Sequence, residues 1–282
     1  MTRVRGKPQR TPDGGPREER RSPSPLEISS MRAIYGMNPV RELLRAGGED
    51  LSELWLAEGS ERGRAFADLA QLARERGAKI REAPRQKLDR LAGTDRHQGV
   101  VAVVAEYRYR ELEDLLEAAR VACEAPLLVV LDGIEDPQNL GAIIRSAHAL
   151  GAHGVVIPKD RAASVTPAVS KCSAGAVEHC PVARVTNLAQ TIERLKEAGV
   201  WTVATDADGS EDLSQVDLSV ATALVVGSEG SGVRPLVRRT CDRIVRIPMK
   251  GKVSSLNVSA SAAIALYEAA RQRRPESRVR KP

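Results

Sequence analysis

The sequence predicts an α/β protein, with a doubly wound parallel-sheet domain in its C-terminal half and a smaller α/β domain before it. Three observations predict it. From Pro126 onwards, apolar runs recur about every 20 to 27 residues, and helical stretches separate most of them. The runs are continuously apolar rather than alternating, as strands covered on both faces of a parallel sheet must be. Phe, Tyr and Trp make up only 2% of the 282 residues, so the core must be built from Ala, Val, Leu and Ile.

Residues 1–30 carry Pro8, Pro12, Pro16, Pro23 and Pro25 among basic residues and read as a tail without regular structure. Residues 31–107 read as a compact α/β unit. Asn38-Pro39 followed by Val40, Leu43 and Leu44 starts a helix, and Leu54-Trp55-Leu56 is a short strand. Phe66, Leu69, Ala70, Leu72 and Ala73 form a helical stripe that Gly77 stops. Val100–Val104 is a buried strand introduced by His97-Gln98-Gly99. Leu112–Ala122 is charged and amphipathic. It reads as a helix of a linker over 108–125, or equally as the first helix of the next domain. That domain spans 126–272, with strands at Leu127–Leu131, Val155–Ile157, Val182–Val185, Val200–Ala204, Leu224–Val226 and Ile244–Ile247. Its last helix begins near Leu256 and is expected to pack through Leu256, Ala260, Ala263, Ile264 and Tyr267. Residues 273–282 read as a second basic tail.

Composition excludes several classes. No apolar run approaches the ~20 residues of a membrane helix, and the N-terminus lacks the apolar stretch of a secretory signal. Cys123, Cys172, Cys180 and Cys241 lack C-x-x-C spacing, so reduced thiols in a cytoplasmic protein are expected. His97, His148, His153 and His179 show neither metal spacing nor a paired nucleophile, which leaves a metal site or a hydrolase triad without support. The net charge is +6, but residues 1–30 carry +3 and residues 271–282 carry +5, leaving the intervening 240 residues at −2. Basic tails favour a polyanionic partner by counterion release. They can equally serve solubility.

Three polar loops stand where predicted strands end, the edge at which open α/β sheets bind ligands. They are Asp136–Ala147, Gly227–Gly232, and Ile247-Pro248-Met249 through Ser254-Ser255-Leu256-Asn257-Val258-Ser259. The glycines of the second loop allow positive φ and close backbone approach. Its spacing is neither the dinucleotide fingerprint nor the P-loop, which weighs against a Rossmann oxidoreductase. Glu229 would be unwelcome in a phosphate cradle and points to ribose hydroxyls or a cationic group. Asn139 is a good helix N-cap, which would leave Arg145 merely solvated. Ser254, Ser255 and Asn257 could simply start the last helix. Spacing alone leaves both of these simpler readings open.

Taken together, the loops go further. Asn139-Leu140-Gly141 with Arg145, Gly227-Ser228-Glu229-Gly230 with Gly232, and Ile247-Pro248-Met249 with Ser255-Leu256-Asn257-Val258-Ser259 resemble the three signature motifs of the SpoU (TrmH) family. These are RNA ribose 2′-O-methyltransferases that use S-adenosylmethionine. The motifs occur in order over about Pro126 to Arg271. Tyr35-Gly36 through His97-Gln98-Gly99-Val100 resembles the ribosomal-L30e-like substrate-binding domain fused to some members, an arrangement similar to that of 23S rRNA guanosine-2′-O-methyltransferases. The resemblance implies a deep trefoil knot, a rare exception to unknotted topology. It also implies a homodimer with the site completed near the subunit interface, and 23S rRNA as partner. By motif position, it implies catalytic roles for Asn139, Arg145, Glu229, Ser255 and Asn257, and cofactor contacts at Gly227, Ile247 and Leu256. Glu229 is expected to hold Arg145 or the substrate ribose. A tRNA substrate and a non-catalytic RNA-binding protein are the alternatives, and the intact Asn139, Arg145 and Glu229 weigh against the second.

Overall fold

The computed structural model describes residues 31–47, 51–60, 63–252 and 255–274. The tail at 1–30, residues 275–282 of the second tail, and Ser254 lie outside the described residues.

The first sheet is four-stranded, in the order β1-β4-β2-β3. Strand β1 (Met31–Tyr35) runs antiparallel to β4 (Val100–Ala105), β4 runs antiparallel to β2 (Leu51–Ala57), and β2 runs parallel to β3 (Lys79–Ala83). Helices α1 (Met37–Ala46) and α2 (Arg64–Glu75) cover one face, packing Val40, Leu43, Leu44, Leu69 and Ala73 against Leu54 and Leu56. Helix α3 (Arg85–Ala92) covers the other, with Leu88 against Trp55 and Val101. Neither β1 nor β3 is an apolar run. Arg32 interrupts β1, and β3 holds Lys79, Arg81 and Glu82 among its five residues, which is why neither stood out in the sequence. In the turn before β4, buried His97 places Nε2 2.8 Å from Asp89 Oδ1, while its Nδ1 accepts from the Gly99 amide at 3.0 Å.

The second sheet is seven-stranded and parallel, in the order β7-β6-β5-β10-β8-β11-β9. Its strands are β5 (Leu127–Asp132), β6 (Gly154–Pro158), β7 (Val182–Val185), β8 (Trp201–Thr205), β9 (Glu211–Asp212), β10 (Thr222–Gly227) and β11 (Arg243–Arg246). Every residue of β5, β6 and β10 is buried, as two-sided coverage requires. From β5 the chain lays β6 and β7 to one side and then crosses to β8 on the other, with β10 filling the gap. The boundary between β5 and β10 is therefore the switch point at which such sheets bind ligands.

Helix α4 (Leu112–Val121) sends Leu112 and Leu115 into the core with Leu128, Val130 and Val156. A Cβ at Gly154 would lie 2.4 Å from Leu115 Cγ. Of the two readings open for this helix, linker or first helix of the next domain, the packing favours the second, because its apolar stripe is buried against the second sheet. The remaining helices are α5 (Pro137–Ala149), α6 (Pro167–Cys172), α7 (Leu188–Glu197), α8 (Pro235–Thr240) and α9 (Val258–Gln272).

Two expectations at the C-terminus are corrected. Helix α9 buries Val258, Ala262, Ala265, Leu266 and Ala269, whereas Leu256, Ile264 and Tyr267 are 39%, 39% and 53% exposed. Apolar residues occur around most of its circumference, so periodicity could not choose the buried face, and the alanine-rich side packs closer. Arg273, expected in a solvated tail, donates to the carbonyls of Leu218 (2.9 Å), Ala125 (2.5 Å), Pro126 (3.0 Å) and Val220. It ties the end of α9 to the chain entering β5 and β10. Among the described residues no helix is long and apolar enough to cross a membrane.

The two sheets meet through polar contacts. Gln98 (φ 57°) presents its Oε1 to both the Met37 amide and Lys171 Nζ, each at 3.1 Å. Gly36 lies beside this contact, where a Cβ would meet Lys171 Nζ at 2.5 Å. Glu42 Oε2 faces His179 Nε2 at 2.9 Å, and Arg32 Nη1 donates to Ser170 Oγ at 3.3 Å.

Candidate active site

The three loops converge at the C-terminal ends of β5, β10 and β11. Helix α5 is capped not by Asn139 but by Asp136, whose carboxylate accepts from the Gln138 amide, with Pro137 in the first turn. The expected cap is corrected: Asn139 lies one turn in, and its side chain is free for other work. Asn139 Nδ2 donates to Glu229 Oε1 at 3.3 Å. Asn257 Nδ2 reaches both Glu229 Oε1 (2.5 Å) and Asn139 Oδ1 (3.1 Å). The Val258 amide adds a fourth contact, to Glu229 Oε1 at 3.4 Å. One residue from each loop therefore meets at a single carboxylate oxygen, and Glu229 Oε2 has no partner among the described residues.

Asn257 also caps α9, its Oδ1 accepting from the amides of Ser259 (2.9 Å) and Ala260 (3.3 Å). The cap and the site contact use different atoms of one amide. The simpler reading of the third loop is thus correct for Oδ1 and incomplete for Nδ2.

Gly227 ends β10 where the loop folds back. A Cβ there would lie 2.0 Å from Gly232 C and 2.1 Å from Val233 N. The fold-back is held by paired hydrogen bonds between Ser228 and Gly232 (3.1 and 3.0 Å), with Gly230 at φ 88° and Gly232 at φ 64°. Beside it opens a cavity of about 450 Å³, walled by Gly227, Ile247, Ser255 and Leu256 with the loop backbone. A second cavity, of about 320 Å³, lies along Gly133–Asp136 and Asn139. Ser228, Glu229 and Val258 wall both. Among the described residues, no Lys or Arg lines either one.

Arg145 stands apart. It is exposed on α5, six residues after Asn139 and so on a different face of the helix. It makes no hydrogen bond or ion pair among the described residues. Of the two roles expected for Glu229, holding Arg145 is not seen, because Arg145 projects from another face of α5, and Oε2 is left for the substrate ribose.

Thr205-Asp206-Ala207-Asp208, at the end of β8, also line the larger cavity and were missed. Asp206 accepts from the Asp208 amide at 2.9 Å and pairs with Arg238 at 3.1 Å. The segment reads as an ordinary turn, and only the adjacency of β8 to β10 places it at the site. Asp132, fully buried at the end of β5, accepts from Arg234 N (2.8 Å) and Arg234 Nε (2.6 Å), fixing the exit of the glycine loop.

Residues 126–267 match the SpoU rRNA Methylase family. The chain belongs to this family. Residues 33–110 match a second family, RNA 2′-O ribose methyltransferase substrate binding. YacO of Bacillus subtilis (strain 168), named for the TrmH family of tRNA/rRNA methyltransferases, is 49% identical over 242 residues, which is 86% of this chain and 96% of YacO. Among solved structures, the SpoU methyltransferase AviRb from Streptomyces viridochromogenes, in complex with the cofactor AdoMet, superposes with a TM-score of 0.74 at 31% identity. That match covers 87% of this chain and 91% of AviRb. An RNA 2′-O ribose methyltransferase superposes at 0.71 with 28% identity, covering 87% and 90%. The parallel-sheet domain thus has the knotted α/β fold of the SpoU methylases, with the smaller α/β domain ahead of it.

Proposed function

We propose that the protein transfers the methyl group of S-adenosylmethionine to a ribose 2′-hydroxyl of RNA, with a guanosine of 23S rRNA as acceptor. The observation that supports this most is the convergence of Asn139, Glu229 and Asn257 on the rim of a cavity walled by Gly227, Ile247 and Leu256. The residues present fit such a cofactor. The cavity volume falls within the ~300–1,000 Å³ of small-molecule sites. Ile247, Met249 and Leu256 offer apolar wall for a purine, and among the described residues Asp206, Asp208 and Glu229 supply the charges of its lining, all opposite in sign to a sulfonium. S-adenosylmethionine, when bound, supplies an electrophilic methyl group.

A ribose hydroxyl is a weak nucleophile, so the protein must contribute position and charge stabilisation. Glu229, held by two carboxamides through Oε1, offers Oε2 to the acceptor ribose. Asn139 and Asn257 fix it there, and Ser255 offers a hydroxyl at the cavity wall. Arg145 stays protonated in any protein environment, so it acts as an electrostatic partner of the developing alkoxide and the neighbouring phosphate. The proton leaves to phosphate or water. Its guanidinium is exposed and unpaired among the described residues, and because it stands apart from Glu229 within one chain, this role requires the site to be completed by a second copy.

A second copy of the chain is part of this reading, as the exposed Ile264 and Tyr267 on α9 offer an apolar face for a homodimer. Sedimentation velocity tests it.

In-line transfer needs no covalent enzyme intermediate. Burial pushes the Cys180 thiol up to about 12 and also raises Cys172, so neither is a thiolate near neutrality. The Cys172→Ser, Cys180→Ser variant should retain methyl transfer per folded molecule. A folded but inactive variant would refute the in-line scheme.

The deciding experiment is transfer from tritiated S-adenosylmethionine to unmodified 23S rRNA and to bulk tRNA, with nucleoside analysis of the labelled product. Label at guanosine in 23S rRNA that disappears with Arg145→Ala is expected. Label in tRNA alone would keep the chemistry and replace the substrate. RNA binding without label would favour the non-catalytic reading.

A further inference from the structure

The proposed function leaves open which surface of the N-terminal domain meets RNA. Charge there is uneven. Residues 31–270 sum to −2, yet residues 79–96 hold six Lys or Arg against three Asp or Glu. One of those acids, Asp89, is drawn to His97. The six cations follow one another along β3, α3 and the turn after it, and β3 is the edge strand of its sheet. All six are exposed. Lys79, Arg85 and Arg90 make no hydrogen bond or ion pair among the described residues.

Trp55 sets this strip apart from an ordinary solvated face. Arg81 and Lys87, from different elements, both lie over its ring, 5.4 and 4.2 Å from the centroid. Each is inside the ~6 Å reach of a cation–π contact. The indole is itself buried against Leu88 and Val101, so it is a fixed platform. Glu53 accepts from both Arg81 Nε (2.8 Å) and Trp55 Nε1 (2.9 Å) and balances Arg81, so Lys87 is the charge this platform holds out to an anion. Its side chain is already ordered, so little further entropy is lost on binding.

The other basic stretch behaves differently. Residues 234–252 hold seven cations against one acid, but Arg234, Arg238, Arg243 and Arg246 are paired with Asp132, Asp206, Glu211 and Asp212. Those cations serve the fold around the cavity. Among the described residues, the β3–α3 cations, Arg81 with Glu53 apart, have no such partners.

We infer that the β3–α3 strip is the surface through which the N-terminal domain holds the phosphate backbone of its RNA. This rests on the reading of the chain as an RNA methyltransferase and names the contact surface of that substrate. Backbone contacts of this kind position an RNA without reading its sequence.

The test is the salt dependence of binding to a 23S rRNA transcript by the full chain and by the Arg85→Gln, Lys87→Gln variant. The matched control is Arg64→Gln, Arg74→Gln on α2, which removes the same charge from the helix layer on the other sheet face. Loss of two phosphate contacts lowers the slope of log K against log salt by roughly 1.4 to 1.8, at ~0.7 to 0.9 per contact. The strip variant should show that drop, a raised KM for RNA and an unchanged kcat at saturating RNA, with S-adenosylmethionine binding intact. An unchanged slope overturns the inference. So does an equal drop in the control, because net charge alone would then account for binding. Failure of the wild-type chain to methylate any RNA would overturn the functional reading instead, since the slope is read without turnover.

Discussion

Gly227→Ala should remove S-adenosylmethionine binding and destabilise the parallel-sheet domain by about 3 kcal/mol or more. The new methyl group would sit 2.0 Å from Gly232 C, 2.1 Å from Val233 N and 2.2 Å from Gly232 O. All three are backbone atoms, so no side-chain rotation relieves the clash. Overpacking costs ~1–3 kcal/mol even where side chains can yield, and here the loop itself must move. Moving it opens the paired Ser228–Gly232 hydrogen bonds and shifts the wall of the larger cavity. Gly230→Ala separates space from backbone strain. Its φ is 88°, yet a Cβ there meets nothing within 4 Å, so its cost should be only the ~1–2 kcal/mol of left-handed backbone. Urea denaturation and calorimetric titration with S-adenosylmethionine measure both effects. A Gly227→Ala protein with wild-type midpoint and affinity would mean that this fold-back does not form the cavity wall.

The same loop shows what could be read from residues alone. Close spacing of Gly227, Gly230 and Gly232 after an apolar run announces a tight backbone approach, and continuous apolar runs announce a parallel sheet. What they approach was not legible. Asn139 lies 90 residues from Glu229 and 118 from Asn257, so their convergence is a product of sheet order. Asp136-Pro137 did carry a helix-start signal, an acidic cap followed by proline in the first turn, and it should have displaced Asn139 from that position. Thr205–Asp208 carried no signal, because a polar turn becomes part of a site only when β8 lies beside β10. Helix α9 failed for a simpler reason. It is apolar on two faces, one packed on the sheet and one exposed, and periodicity ranks neither.

Glu229→Ala should lower kcat/KM for RNA by about 10²–10³, the range seen when one preorganised polar group is removed from an active site. Global stability should change by less than about 1 kcal/mol, because Glu229 is exposed and its loss leaves two carboxamides that water can reach. Glu229→Gln divides the effect. The glutamine carbonyl can still accept from Asn257 Nδ2 and the Val258 amide, so the loops stay tied, but the negative charge is gone. If that charge complements a sulfonium, Glu229→Gln weakens binding of S-adenosylmethionine more than that of S-adenosylhomocysteine, whose sulfur is neutral. Equal weakening of both would limit the carboxylate to hydrogen bonding. The network makes a further demand. Asn257 reaches Glu229 Oε1 and Asn139 Oδ1 through one nitrogen, so the three residues work as a unit. Losses from Glu229→Ala and Asn257→Ala should then be strongly non-additive, the double variant scarcely worse than the poorer single. Additive losses would show that each loop contributes separately, and the convergence on one oxygen would no longer explain why all three motifs occur together.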